Sequence, residues 1–134
     1  MKNLPTWFFR APTTLGSPLA IIKWWEARRV PYNILIGVYG VISLTLFYFF
    51  IQSSGKLEPG EDAVEPIAFI AAPIAINLAY TAGWFVELIL RYVFAVRSTK
   101  TGPCLLKAGV IFSLVVASLP TVVWGCIYIG TRPK

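Results

Sequence analysis

There is no histidine in this chain of 134 residues, and it has only two cysteines and six acidic residues. The first two shortages exclude most metal chemistry, because zinc and iron–sulfur sites are built from several histidine or cysteine ligands. Cys104 lies just before the last apolar run and Cys126 near its end, and on a helix they would lie ~33 Å apart. A disulfide needs Cα atoms within ~7 Å, so the two cannot pair within one chain. No cofactor is expected. The acids are also badly placed for catalysis. Glu58, Glu61, Asp62 and Glu65 crowd into one connection, which lacks the ligand order of an EF-hand and reads as a solvated loop. Acid–base work needs paired groups with separated pKa values, and no serine lies in a nucleophile-elbow pattern. The expectation is that this is not an enzyme.

Charge is scarce as well, at 13% of residues against ~25% in an ordinary soluble domain. The net charge of +6 does not form a nucleic-acid footprint. The basic residues lie in connections at the ends of apolar runs, with no separate basic domain and no RNA-binding aromatic motif.

Long apolar runs fill the remainder: Ile34–Ile51, Ile67–Leu90 and Leu105–Ile129. Each approximates the ~20 residues that a helix needs to cross a bilayer's hydrocarbon core. The expected fold is therefore an all-α integral membrane protein. Residues 1–30 form an N-terminal segment with an interfacial amphipathic helix, and 31–134 form a domain of three transmembrane helices at about 33–53, 66–92 and 105–129. The first run is longer than a signal-peptide core of ~7–15 residues and lacks an Ala-x-Ala exit, so it is expected to stay as an anchor. Lys2, Arg10, Lys23, Arg28 and Arg29 precede span 1, and Arg91, Arg97, Lys100 and Lys107 follow span 2. The positive-inside rule then predicts a cytoplasmic N-terminus, an outer acidic loop and an exported C-terminus.

Local signals place the first helix. Ser17-Pro18 is a helix start, with serine at the N-cap and proline where its missing N–H costs nothing. Leu19–Arg29 combines Trp24, Trp25, Arg28 and Arg29, residues suited to anchor a helix in the headgroup layer. Pro31 is expected to break that helix before span 1 begins.

Span 2 carries two distinct faces. Ala71, Ala75, Ala79 and Gly83 recur at every fourth position, a seam of small residues along one side. Asn77, Tyr80, Thr81, Trp84, Glu87 and Arg91 gather roughly opposite, as a polar stripe. Span 3 repeats the small seam with Gly109, Ser113, Ala117, Thr121 and Gly125. Lipid gives helices no hydrophobic reason to associate, so small residues that permit close contact mark the interface. This predicts a tight hairpin of spans 2 and 3, with span 1 alongside and a bend at Pro120. Polar groups within a span are functional candidates. The stripe reads either as an ion or proton path through Asn77, Tyr80, Thr81 and Glu87, or as structure. In the structural reading, Glu87 pairs with Arg91 one turn on and Asn77 bonds a neighbouring helix.

The juxtamembrane segment Trp24-Trp25-Glu26-Ala27-Arg28-Arg29-Val30-Pro31-Tyr32-Asn33 resembles that of small bacterial multi-pass membrane proteins with a Trp-Trp-Glu-x-Arg-Arg-x-x-Tyr-Asn signature. That resemblance implies a bacterial inner-membrane location and nothing about activity. The expected partners are the lipid bilayer and other membrane proteins or further copies of the chain. The leading expectation is an accessory subunit working through helix–helix contacts. The alternative is an oligomeric ion or solute conduit lined by the polar face of span 2.

Overall fold

The computed structural model describes residues 7–12, 17–55, 64 and 66–131. The acidic cluster, the Pro59-Gly60 turn and the tail 132–134 lie outside them. All secondary structure among the described residues is helical: α1, Pro18–Ser53; α2, Ala68–Tyr92; and α3, Thr101–Thr131. All three are long and apolar enough to cross a membrane. Their outward faces carry Val38, Val41, Ile42, Ile74, Leu78, Phe112 and Val115, each more than half exposed. A water-soluble bundle would bury such side chains; an exposed apolar surface this extensive belongs against lipid. The chain is a multi-pass membrane helix bundle.

α1 starts where Ser17-Pro18 predicts, with Ser17 as N-cap and the Ala20 N–H donating to its carbonyl at 2.9 Å. It does not stop at Pro31. One continuous helix of 36 residues runs through the proline, ~54 Å long against a hydrocarbon thickness of ~30 Å. Proline removes one backbone donor and disfavours the preceding helical turn, yet both flanks are tied to the same neighbour. Arg29 bonds Thr81 of α2, and Asn33 bonds Asn77 one turn further along α2. These contacts hold the two halves of α1 in line. Ile21, Trp25, Arg28, Tyr32, Ile36, Ser43, Phe47 and Ile51 are buried along one continuous face, so the first turns of α1 pack with the bundle as its later turns do. α2 begins two residues later than expected, leaving Pro66 in the preceding turn.

α1 and α3 run parallel and in register. Tyr32 meets Ser113, Tyr39 meets Ser118, Ser43 meets Thr121, and Phe47 meets Trp124. α2 runs antiparallel to both, and its bonds to α1 end at Asn77.

This arrangement corrects the expected hairpin. The two small-residue seams approach one another only near the α2–α3 connection, where Ala79 and Gly83 share a small gap with Gly109 and Ser113. Further out they diverge, and Ala71 and Ala75 are exposed. Two of the three seam glycines instead admit α1: a Cβ on Gly83 would lie 2.9 Å from the Trp25 ring, and one on Gly125 3.3 Å from Phe50. Hydroxyl chemistry accounts for the preference. The Ser43 hydroxyl lies 2.7 Å from that of Thr121 and donates to the Ala117 carbonyl at 2.6 Å, while Thr121 donates to the Ser43 carbonyl at 2.7 Å. Such interhelical bonds contribute ~0.6–2 kcal/mol each in a membrane. The small residues of α2 offer only van der Waals contact in competition.

Candidate functional site

The polar stripe of α2 runs towards one end of the bundle, where Glu87 is buried. This carboxylate is 1% exposed. Each helix contributes to its surroundings. From α1, the Trp25 indole N–H donates to Oε2 at 2.7 Å. From α2, Arg91 donates through Nε to Oε1 at 2.8 Å, with a second contact from its terminal nitrogen. From α3, the first turn comes so close that a Cβ on Gly102 would lie 2.6 Å from Oε2. A helix N-terminus carries roughly +0.5 of an elementary charge, so the first turn of α3 is a favourable neighbour for the Glu87–Arg91 ion pair's acceptor oxygens. Glu87 is level with Trp25 and the start of α3, at the end of the bundle, and does not lie mid-span.

Aromatic rings connect this centre to the core. The Tyr80 hydroxyl donates to the Trp25 carbonyl, and its ring packs edge-on to Trp25 at 5.3 Å and tilted against Tyr32 at 4.7 Å. The Tyr32 hydroxyl reaches Ser113 of α3 at 2.7 Å. The remainder of the stripe also faces α1. Asn77 accepts from Asn33 at 3.1 Å and donates to the Pro73 carbonyl at 3.0 Å. Thr81 accepts from Arg29 and donates to the Asn77 carbonyl. Trp84 packs on the core with its indole N–H buried and unpaired among the described residues. Both structural pairings expected for the stripe are present: Glu87 with Arg91, and Asn77 with another helix.

The four residues expected to anchor the headgroup layer divide. Trp25 and Arg28 are 2% and 6% exposed and turn inward; Trp24 and Arg29 remain partly open. Arg28 has a role that spacing alone did not suggest. Its guanidinium lies 3.9 Å from the Trp24 ring centre and 4.8 Å from that of Trp7. It donates to the carbonyls of Phe8, Trp24 and Trp7 at 2.7–3.1 Å, and to that of Arg10 at 3.4 Å. The segment 7–12 is thereby clamped onto α1, and Trp24 adds an indole bond to the Arg10 carbonyl. Arg28→Gln removes the planar donor fork and should speed tryptic cleavage after Arg10 about tenfold or more, the scale of hydrogen bonds to a charged group. Timed proteolysis in detergent checks this; unchanged cleavage would show that the clamp is not what holds the segment.

Sequence reasoning also missed Tyr39, Ser43 and Ser118, whose hydroxyls join α1 to α3, and Gly102. The two cysteines are free and exposed on α3. Among the described residues, no three metal-ligating side chains come together.

A second feature is apolar. Beside the stretch of α2 that precedes Asn77, a cleft of about 380 Å³ lies between the three helices. Its walls include Gly40 of α1, Ala72 and Ala75 of α2, and Phe112, Val116 and Pro120 of α3. No protein-family model, curated protein or solved structure matches the chain.

Proposed function

We propose that this chain is a non-enzymatic subunit of the membrane that works by receiving a transmembrane helix of another membrane protein in the three-walled apolar cleft. The observation that carries the reading is the split between the two faces of α2. Its polar face is engaged by α1, while its alanine face borders an open cleft. Small residues are the side chains that let a second helix backbone approach closely in lipid. The chemistry points the same way: the buried acid Glu87 has both oxygens engaged by Trp25 and Arg91, so it is held as structure. The proposed setting is a bacterial inner membrane, with the N-terminus cytoplasmic and the C-terminus outside. The first turns of α1, which extend beyond the hydrocarbon, lie at headgroup level.

The test is purification of the full-length chain in mild detergent from its native membrane. The expected result is a stoichiometric membrane partner that Ala75→Leu displaces and Val123→Leu retains. Ala75 is exposed, so the larger side chain fills the cleft without disturbing the bundle. Recovery of the wild type alone, or equal partner retention by both variants, overturns the reading. A conduit lined by the polar face would require that face to leave α1. Ion flux in liposomes that Asn77→Leu abolishes would establish the conduit instead.

A further inference from the structure

On the opposite side of α2 from the apolar cleft, an open groove of about 370 Å³ is lined by Arg29, Pro73, Ile74, Asn77, Leu78 and Thr81. We infer that this groove binds a glycerophospholipid, with Arg29 holding the phosphate and the wall of α2 receiving an acyl chain.

Three observations converge on that ligand. First, Arg29 has donors to spare, although its guanidinium also lies 5.2 Å from the Tyr80 ring centre. One terminal nitrogen donates to Glu26 at 2.7 Å and to Thr81 at 3.1 Å. Its Nε is buried with no partner among the described residues. A guanidinium carries five N–H donors in a planar fork, and a phosphodiester supplies matching oxygens two at a time. The existing ion pair is a weak competitor. The side chains of Arg29 and Glu26 are 28% and 45% exposed, and such pairs contribute about 0–1 kcal/mol.

Second, the lining is graded. Arg29 and Thr81 mark one end, and Asn77 lies one turn in. Pro73 and Ile74 continue about 10 Å towards the middle of the bundle, as the rise of α2 dictates. A headgroup followed by a hydrocarbon chain has the same order of polarity. Free phosphate would meet the guanidinium and leave the apolar wall uncovered.

Third, the groove is at the right depth. Arg29 follows the partly open Trp24 by little more than one turn, and tryptophan with a free edge favours the headgroup layer. Basic pockets between membrane helices at this level bind lipid headgroups. The inference does not depend on the partner-helix reading, because the two sites lie on different sides of α2 and share no lining residue.

The experiment measures binding to the full-length protein in detergent by native mass spectrometry. Three probes are compared: dioctanoyl phosphatidylglycerol, dioctanoylglycerol, which has the same chains without phosphate, and inorganic phosphate. The wild type should retain the phospholipid and neither control. Arg29→Gln should weaken that binding about tenfold, the effect of losing one charge-assisted contact, and Arg29→Lys should fall between. If Arg29→Gln fails to insert, Ile74→Trp serves in its place. Ile74 is 55% exposed, so tryptophan blocks the groove without entering the core, and phospholipid binding should again fall. Equal binding by Arg29→Gln, or by Ile74→Trp where it substitutes, overturns the proposal. Equal retention of dioctanoylglycerol makes the groove merely apolar, and equal binding of inorganic phosphate makes it an anion site; either result also overturns it.

Discussion

Arg91→Leu is expected to destabilise the bundle by about 3–5 kcal/mol, the usual cost of removing one partner from a buried ion pair. The size follows from where Glu87 is held. It is 1% exposed, it is enclosed by the first turn of α3, and it cannot swing to water without breaking its bond from Trp25. Without Arg91, one neutral indole N–H and the partial charge of a helix end remain to compensate a full negative charge. The reverse substitution should cost less. Glu87→Gln leaves an oxygen to accept from Trp25, and the stranded Arg91 lies in the last turn of α2. Its long side chain can extend toward water or headgroups. A cost of about 1–2 kcal/mol is expected, the scale of an ordinary lost hydrogen bond. The double variant should therefore be more stable than the sum of the singles predicts, with a coupling of about 1–3 kcal/mol. Reversible unfolding by dodecyl sulfate in mixed micelles, followed by tryptophan fluorescence, measures all three. A cost below about 1 kcal/mol for Arg91→Leu, the value of an exposed pair, would mean that Glu87 is hydrated in the folded protein.

The three spans were legible because length and apolarity alone decide whether a helix can cross a membrane. The ends of α1 were legible because Ser17-Pro18 and Ser53-Ser54-Gly55 are local signals, and Gly55 has the positive φ of 64° that terminates the helix. Periodicity also showed that Asn77, Tyr80, Thr81 and Glu87 form one face. It could not show which helix that face meets. Pro31 illustrates the limit of a local rule. Proline disfavours the helix by a fixed local penalty, but the Arg29–Thr81 and Asn33–Asn77 bonds form only when α1 continues straight. The seams show a second limit. Small residues permit close packing without choosing a neighbour, and in lipid the choice falls to polar side chains. Tyr39 and Ser43 lie in one run and Ser118 and Thr121 in another. Their pairing appears only once α1 and α3 are known to be parallel and level.

Together these features make α1 the organising helix. At one end it binds α2 through Trp25, Arg29 and Asn33, and along its length it binds α3 through Tyr32, Tyr39 and Ser43. α2 and α3 then meet chiefly near their connection. The stretch of α2 before Asn77, residues 68–76, bears no interhelical hydrogen bond among the described residues, which is why a cleft opens there.

Gly102→Ala separates local propensity from tertiary contact, because the two predict opposite signs. Alanine is the better helix former by up to about 1 kcal/mol, so propensity alone predicts stabilisation. The structure predicts a loss of about 1–3 kcal/mol, the cost of overpacking a close contact. The new methyl carbon would lie 2.6 Å from one Glu87 oxygen, 3.1 Å from the other and 3.2 Å from the carboxyl carbon. A free glutamate would rotate away, but this one is fixed by Trp25 and Arg91 from two directions. The methyl group must displace either the carboxylate from its donors or the first turn of α3 from the bundle. Shortening the acid identifies which contact is responsible. In a Glu87→Ala background the obstacle is gone, and Gly102→Ala should become neutral or stabilising. The same mixed-micelle unfolding assay reads both backgrounds. An equal loss in each would place the strain elsewhere in the turn, and stabilisation in the wild-type background would mean that α3 does not start against Glu87.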